Sequence, residues 1–350
     1  MSKVRVLIVE DSPLTATLIQ SILENDADIE VVGIATDGEQ AIEMVKKLKP
    51  NVITMDVLLP TLDGIETTKR IMGEIPTPIL ILSTAIFTFG QSKVFQALAY
   101  GALEVMEKTF FEGKNVDEQG VKKLQETVKM LARVKVIRHP LSVLEKMKKT
   151  QAVRYINAKE TASEEKIIGL AASTGGTVAI LSILKRLPKD FKVPIIIVQH
   201  ITIGFERGFA DWLNTNCEIN VCMAEDGARM LPGNVYVAYR GKHIEVTPYG
   251  RIKLVSGEPV ESSTPSGTVL LKSIAENYGD RACGIILSGM GKDGAEGLKQ
   301  IHNKGGYTLA QEEKECVVFC MPKKAIELGA VSEIANTEEI AKKICVWANL

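Results

Sequence analysis

A chain of 350 residues is longer than one ordinary core and predicts two domains of about 150 residues each. With 45% hydrophobic and 24% charged residues it has a globular composition, and a net charge of −1 gives it no general attraction for nucleic acid. No apolar run reaches the ~18 residues that a membrane span needs, so no membrane insertion is expected.

The chain opens with MSKVRVLIVED, a short strand ending in acids rather than a signal peptide, and a cytoplasmic location is expected. Strand-like apolar runs then alternate with helical patterns throughout. That alternation predicts an α/β fold built of two doubly wound parallel sheets. In the first part the strands are expected at residues 4–9, 29–35, 52–55, 78–83 and 104–106.

Four of these strands end in groups that can serve one site. Glu10 and Asp11 end the first, Asp56 the third, Ser83-Thr84-Ala85 the fourth and Lys108 the fifth. Ligands of an open parallel sheet bind beyond the carboxyl ends of its strands. Any one of these acids read alone is a solvated surface group; acids, hydroxyl and lysine at matching strand ends argue for a site. Three converging carboxylates suit a hard divalent cation, Mg2+ above all. Beside such a cation a carboxylate can attack phosphorus, with the Thr84 hydroxyl and the Lys108 charge on the phosphoryl oxygens.

Residues 1–130 resemble the receiver domain of bacterial response regulators. The resemblance implies a flavodoxin-like fold, phosphorylation of Asp56 by a histidine kinase, and Mg2+ held by Glu10, Asp11 and Asp56. Two positions depart from that family. Thr109 follows the lysine where a proline is usual, and Val105 stands where many members carry an aromatic switch residue.

Residues 131–165 differ in character. Arg133, Lys135, Arg138, Lys146, Lys148, Lys149, Arg154 and Lys159 meet little acid, and Leu141, Leu144 and Met147 could line a short amphipathic helix. The segment reads as a basic linker, with docking to an acidic partner as the alternative.

In the remainder, strands are expected at residues 167–172, 193–199, 235–238 and 282–287. The run KIIGLAASTGGTVAILSIL is a strand, a tight turn and a helix. It sets Ser173 where a helix N-terminus aims free N–H groups outward, beside Gly175 and Gly176, which permit close approach. A nucleophilic serine, a phosphate-binding turn and a plain helix cap all fit this stretch. The next strand, VPIIIVQH, ends at His200, and CGIILSGMGKDGAEGLKQI sets Asp293 beyond a third strand. Serine, histidine and aspartate at one sheet edge fit a nucleophile, its base and an orienting carboxylate. Glycines around Met290 would then let backbone N–H groups face an oxyanion.

The same LSGMGKDGAEGL also spells G-x-G-x-x-G, the written form of a dinucleotide-binding turn. There Gly289, Gly291 and Gly294 would cradle a pyrophosphate and Glu312 or Glu313 would reach a ribose. Against it, Asp293 would put a negative charge inside a phosphate loop, and Ser173 and His200 would have no work. All six cysteines (Cys217, Cys222, Cys283, Cys316, Cys320 and Cys345) lie in this half without a compact ligand pattern, so structural thiols are expected rather than zinc ligands.

Residues 166–350 are similar to the catalytic domain of the protein-glutamate methylesterases of bacterial chemotaxis. The blocks that carry the likeness are AASTGGTVAI, IIIVQHI followed by GF, AEDGARMLPGNVYVA with His243 shortly after, ILSGMGKDGAEGL, GGYTLAQEEKECVVF and MPKKAIELGAV. The resemblance implies a Rossmann-like domain that hydrolyses γ-glutamyl methyl esters on a methyl-accepting chemoreceptor, in some members also deamidating glutamine. Ser173 would be the nucleophile, His200 general base and then acid, and Asp293 its orienter. Thr174 and Met290 would lie at the site, Met290 giving a backbone oxyanion donor, and no metal or cofactor is needed there. The receiver would cover the Ser173 edge until Asp56 is phosphorylated. One segment departs: SSTPSGTVLL keeps Pro265 and Ser266 of the family's pattern but lacks its preceding basic pair and following acid. That change leaves open a divergent chemosensory system, or a phospho-switch whose second domain only binds.

Overall fold

In the computed structural model, residues 3–83, 91–108, 117–134, 136, 166–202, 204–239 and 241–349 are described, those at 91–93 without their side chains. Thr84, Thr109 and nearly all of the basic segment, with Leu141, Leu144 and Met147, lie outside the described residues. The chain divides into two compact units at residues 147/148, and each is taken by itself.

The first unit is a five-stranded parallel sheet of β1 (Val4–Val9), β2 (Ile29–Ala35), β3 (Val52–Asp56), β4 (Ile79–Ser83) and β5 (Glu104–Glu107). The runs VITMD and ILILS are buried throughout. A parallel sheet sheathed by helices on both faces reads as such continuous apolar runs. Helices α1 (Pro13–Glu24), α2 (Gly38–Leu48) and α3 (Gly64–Glu74) start at the side-chain caps Ser12, Asp37 and Asp63. They are followed by α4 (Gln91–Ala99) and α5 (Glu118–Leu131). The strand order β2-β1-β3-β4-β5 sends the chain from β1 to one side and then across to β3 on the other. That makes the end of β1 and β3 the topological switch point, where a doubly wound sheet opens a crevice. Val105 is buried in β5 as an ordinary core residue.

The second unit is built on seven parallel strands: β6 (Ile167–Ala172), β7 (Ile195–Gln199), β8 (Asn220–Met223), β9 (Asn234–Val237), β12 (Ala282–Ile286), β13 (Tyr307–Gln311) and β14 (Glu333–Ala335). Beside them stands an antiparallel hairpin of β10 (His243–Val246) and β11 (Ile252–Val255). Helices α6 (Gly176–Leu184), α7 (Glu206–Asn216), α8 (Gly267–Tyr278), α9 (Ala295–Asn303), α10 (Cys320–Glu327) and α11 (Thr337–Trp347) connect them. Leu270, Leu271 and Ile274 of α8 join Ala171, Ile286 and Leu298 in one buried cluster.

The order β14-β13-β12-β6-β7-β9-β8 puts β6 between β7 and β12. The chain leaves β6 for β7 on one side and returns much later to β12 on the other, so the end of β6 is this sheet's switch point. Ser173 is thereby set between the strand end that carries His200 and the one that leads to Asp293. Among the described residues no helix is long and apolar enough to cross a membrane.

Candidate active site

Ser173 follows β6 in a turn that is fixed from several directions. Its N–H donates to the carbonyl of Ser288 at 3.0 Å, and its own carbonyl accepts from Gly176 N–H at 2.8 Å. Gln199 Nε2 donates to the same carbonyl at 2.8 Å and to that of His200 at 2.9 Å. Buried Ser288 donates through Oγ to Thr174 O at 2.7 Å and accepts Val318 N–H at 3.0 Å. Gly175 has a φ of +79°, and a Cβ there would stand 2.5 Å from Val317 Cβ, so only glycine fits. His200 N–H donates to Ala172 O at 2.9 Å, which carries the β6–β7 ladder one residue past the strand and sets His200 next to Ser173.

His200 Nε2 lies 2.9 Å from Asp293 Oδ2. Asp293 is 2% exposed, and its carboxylate takes three more donors. Ser266 Oγ–H reaches Oδ1 at 2.6 Å, Gly267 N–H reaches Oδ2 at 2.6 Å and Thr268 N–H reaches Oδ1 at 3.0 Å. All three come from the start of α8, whose N-terminal N–H groups and dipole favour an anion. Burial by itself raises the Asp293 pKa, but the bonds and charge of His200 and the donors Ser266 and Thr268 outweigh it and hold the pKa down to about 2. An ionised Asp293 fixes the tautomer: Nε2 carries the proton and Nδ1 is left as the base. Among the described residues no hydrogen bond joins Ser173 Oγ to the ring, and neither Oγ nor Nδ1 has another partner. Catalytic contacts of this kind commonly close only when substrate binds.

Thr174 is buried, and Met290 is half exposed at 49%. Gly289 lies against the Ser173 turn so closely that a Cβ there would be 2.9 Å from Ser173 Cβ. Its N–H donates to Val318 O at 2.9 Å and its carbonyl accepts Met321 N–H at 3.1 Å. Met290 N–H, the next amide, and Thr174 N–H have no acceptor among the described residues. Both stand beside Ser173, where an oxyanion would form.

This geometry removes the dinucleotide reading of LSGMGKDGAEGL. The carboxylate at its centre is ionised and takes four donors, and the Gly294 N–H that would meet a pyrophosphate donates to Thr268 Oγ1 at 2.7 Å. Gly289 and Gly294 serve close packing instead: a Cβ on Gly294 would stand 2.9 Å from Ala171 Cβ.

In the first unit one carboxylate oxygen from each of Glu10, Asp11 and Asp56 lies within 4.8 Å of the others. Lys108 Nζ, 2% exposed, bridges Glu10 Oε2 at 2.5 Å and Asp56 Oδ2 at 2.7 Å. Burial, more than any neighbour, pushes the Glu10 pKa up against the pull of Lys108. An all-carboxylate set with buried charge fits a hard divalent cation. Among the described residues no other group of three or more acidic, histidine or cysteine side chains is so gathered. Burial pushes the thiols of Cys217 and Cys316 up to about 12 and that of Cys222 to about 11, which leaves them protonated and inert at neutral pH.

Several working residues escaped the sequence reading. Ser266 is a legible helix cap before GTVLL, yet its contact with Asp293 spans 27 residues. Gln199 reads as the last residue of a strand, and Ser288 as the first of a glycine loop. His243 entered only as part of a matching block.

Two family models match the chain, the CheB methylesterase over residues 168–344 and the response regulator receiver domain over residues 6–117. A protein-glutamate methylesterase/protein-glutamine glutaminase of Syntrophus aciditrophicus is 42% identical, the match covering 97% of this chain and 97% of that one. The protein of the same name from Salmonella typhimurium is 37% identical over 98% and 97% of the two chains. Among solved structures, the CheB methylesterase catalytic domain of Thermotoga maritima aligns with a TM-score of 0.50 at 34% identity, covering 51% of this chain and 96% of that one.

Proposed function

Since the chain belongs to the CheB methylesterase family, in a form that carries a response regulator receiver domain, we propose that Ser173, His200 and Asp293 hydrolyse γ-glutamyl methyl esters on a methyl-accepting chemoreceptor in the cytoplasm, under control of phosphorylation at Asp56. The protein is a carboxylic ester hydrolase by that membership. The observation that carries the assignment of residues is the 2.9 Å pairing of His200 Nε2 with a buried, ionised Asp293, at the strand end next to Ser173.

His200 Nδ1 takes the proton of Ser173 Oγ as the oxygen attacks the ester carbonyl. The oxyanion forms against the N–H groups of Thr174 and Met290. His200 returns the proton to the leaving methoxide, and methanol departs. Water, deprotonated by the same ring, attacks the acyl-enzyme, freeing the glutamate carboxylate and regenerating Ser173. With a glutamine side chain the same steps release ammonia. Asp293 holds the ring in one tautomer and offsets the positive charge that forms on it.

At the receiver site Asp56 accepts the phosphoryl group from a histidine kinase, and Lys108, now bridging Glu10 and Asp56, turns to the new phosphoryl oxygens. Glu10, Asp11 and Asp56 would hold Mg2+, which when bound neutralises charge between carboxylate and phosphoryl group. The modification raises turnover at Ser173.

The test is methanol release from receptor-bearing membranes with labelled methyl esters, with and without a phosphodonor. Wild type is expected to release methanol faster with the donor and Asp56→Asn to ignore it. No release by phosphorylated wild type from any methylated receptor overturns the proposal.

A further inference from the structure

We propose that His243 is a positioning residue of the esterase site, holding Ser266 and through it the Asp293 carboxylate in the orientation that aims His200 at Ser173; this rests on the triad assigned above. Three of the four donors to Asp293 come from the single turn at Ser266, Gly267 and Thr268. Where that turn sits therefore decides how the carboxylate is presented to His200. Ser266 Oγ is held by its own helix, accepting Thr268 N–H at 3.1 Å and Val269 N–H at 3.4 Å. Two backbone N–H groups tie the turn to its surroundings: Gly294 N–H donates to Thr268 Oγ1 at 2.7 Å, and Ser266 N–H donates to His243 Nδ1 of the hairpin at 3.2 Å.

The ring is itself fixed. His243 is the first residue of β10 and is 4% exposed. Its Nε2 lies 2.9 Å from the carbonyl of Glu258 and donates to it. Its Cδ2 is 3.3 Å from where a Cβ on Gly257 would stand, so a side chain at that position would press on the ring. The other ties between hairpin and α8 lie further along the helix, from Val246 N–H to Ser273 Oγ at 3.1 Å and from Asn277 Nδ2 to Val246 O at 3.0 Å. Among the described residues, His243 makes the one hydrogen bond from the hairpin to the end of α8 that meets Asp293.

Both ring nitrogens are engaged by backbone, one as donor and one as acceptor, so the ring is neutral with its proton on Nε2. A ring bound on both sides exchanges no proton with substrate. Its part is positional, and its two contacts can be separated by substitution. Asparagine places an acceptor oxygen near Nδ1 and preserves the bond from Ser266 N–H. Glutamine reaches the Nε2 position and preserves the bond to Glu258.

The experiment compares full-length wild type, His243→Asn, His243→Gln and Asp293→Asn in methanol release from methylated receptor membranes with a phosphodonor. It also follows the His200 ring signals of 15N-histidine-labelled protein, assignable because the chain has four histidines. Displacement of a catalytic group by ~1 Å can cost about a hundredfold in rate. His243→Gln is expected to lose about tenfold to a hundredfold in kcat with KM unchanged, and to shift the His200 Nε2–H signal. His243→Asn is expected to stay near wild type in both. If His243→Gln keeps the wild-type kcat and His200 signal, or His243→Asn falls as far as His243→Gln, the inference is overturned. Failure of the triad itself would show differently, as Asp293→Asn turning over like wild type.

Discussion

Gln199 Nε2 donates to the carbonyl oxygen of Ser173 at 2.8 Å, so the residue before His200 grips the backbone of Ser173. The same nitrogen holds the carbonyl of His200, while the buried Oε1 has no partner among the described residues. An unsatisfied buried acceptor costs stability, on the order of 1–3 kcal/mol, and a residue kept at that cost points to function. Gln199→Met, of similar length and without polar atoms, is expected to lower kcat by about tenfold or more with little change in KM. Steady-state methanol release against receptor concentration measures both.

Asp293 joins stability to catalysis through its charge. Its pKa falls from 3.8 in the unfolded chain to about 2 in the fold. The lowered value means that its ionised form contributes roughly 2 kcal/mol at neutral pH, stability that is lost as pH falls from about 4 through about 2. Asp293→Asn is expected to be less stable than wild type at pH 7 and to lose most of that deficit below about pH 3 in urea unfolding. Its kcat is expected to fall by about 10⁴, as when an orienting carboxylate is made neutral.

Ser266 caps α8 and donates to Asp293 with the same hydroxyl. Ser266→Ala removes both contacts. Loss of the cap is expected to destabilise the protein by about 1 kcal/mol, seen as a lower melting temperature, and kcat is expected to fall with it. Ser266→Thr keeps a hydroxyl and is expected to recover more of the rate than alanine does.

The receiver site should respond to magnesium. At a hundredfold its Kd, an ion that binds only the folded state adds about 2.7 kcal/mol. Such a rise in unfolding free energy is expected for wild type and is expected to vanish in Asp56→Asn. Glu10 behaves oppositely to Asp293: its raised pKa makes its ionised form a burden at neutral pH, one that is relieved as pH falls through the carboxylate range. Glu10→Gln is therefore expected to raise the melting temperature without magnesium while abolishing the response to it.

Most of the frame was legible because parallel strands sheathed on both faces leave unmistakable apolar runs. IIGLAA, IIIVQ and ACGII were read at nearly their observed bounds, and so were the strand ends that carry Glu10, Asp56, Ser173 and His200. The edge strands of the second sheet were not. NVCM and EIA are short and only partly buried, and neither they nor the hairpin of β10 and β11 carries a long apolar run. The site was legible as residue types at strand ends but not as a network. The contacts of Asp293 with Ser266, Gly267 and Thr268 bridge about two dozen residues of chain and follow only from α8 packing beside β6 and β12. The SSTPSGTVLL segment reads as a departure in substrate recognition; the residues it keeps, Pro265 and Ser266, include the one that holds the Asp293 carboxylate.

The most direct test is Ser173→Ala, assayed for methanol release from methylated receptor membranes in the presence of a phosphodonor. Ser173 Oγ is the atom assigned to attack. The expected result is release at the background rate by a protein that melts like wild type and still takes up phosphate at Asp56. A Ser173→Ala rate within about tenfold of wild type would contradict the nucleophile and, with it, the triad.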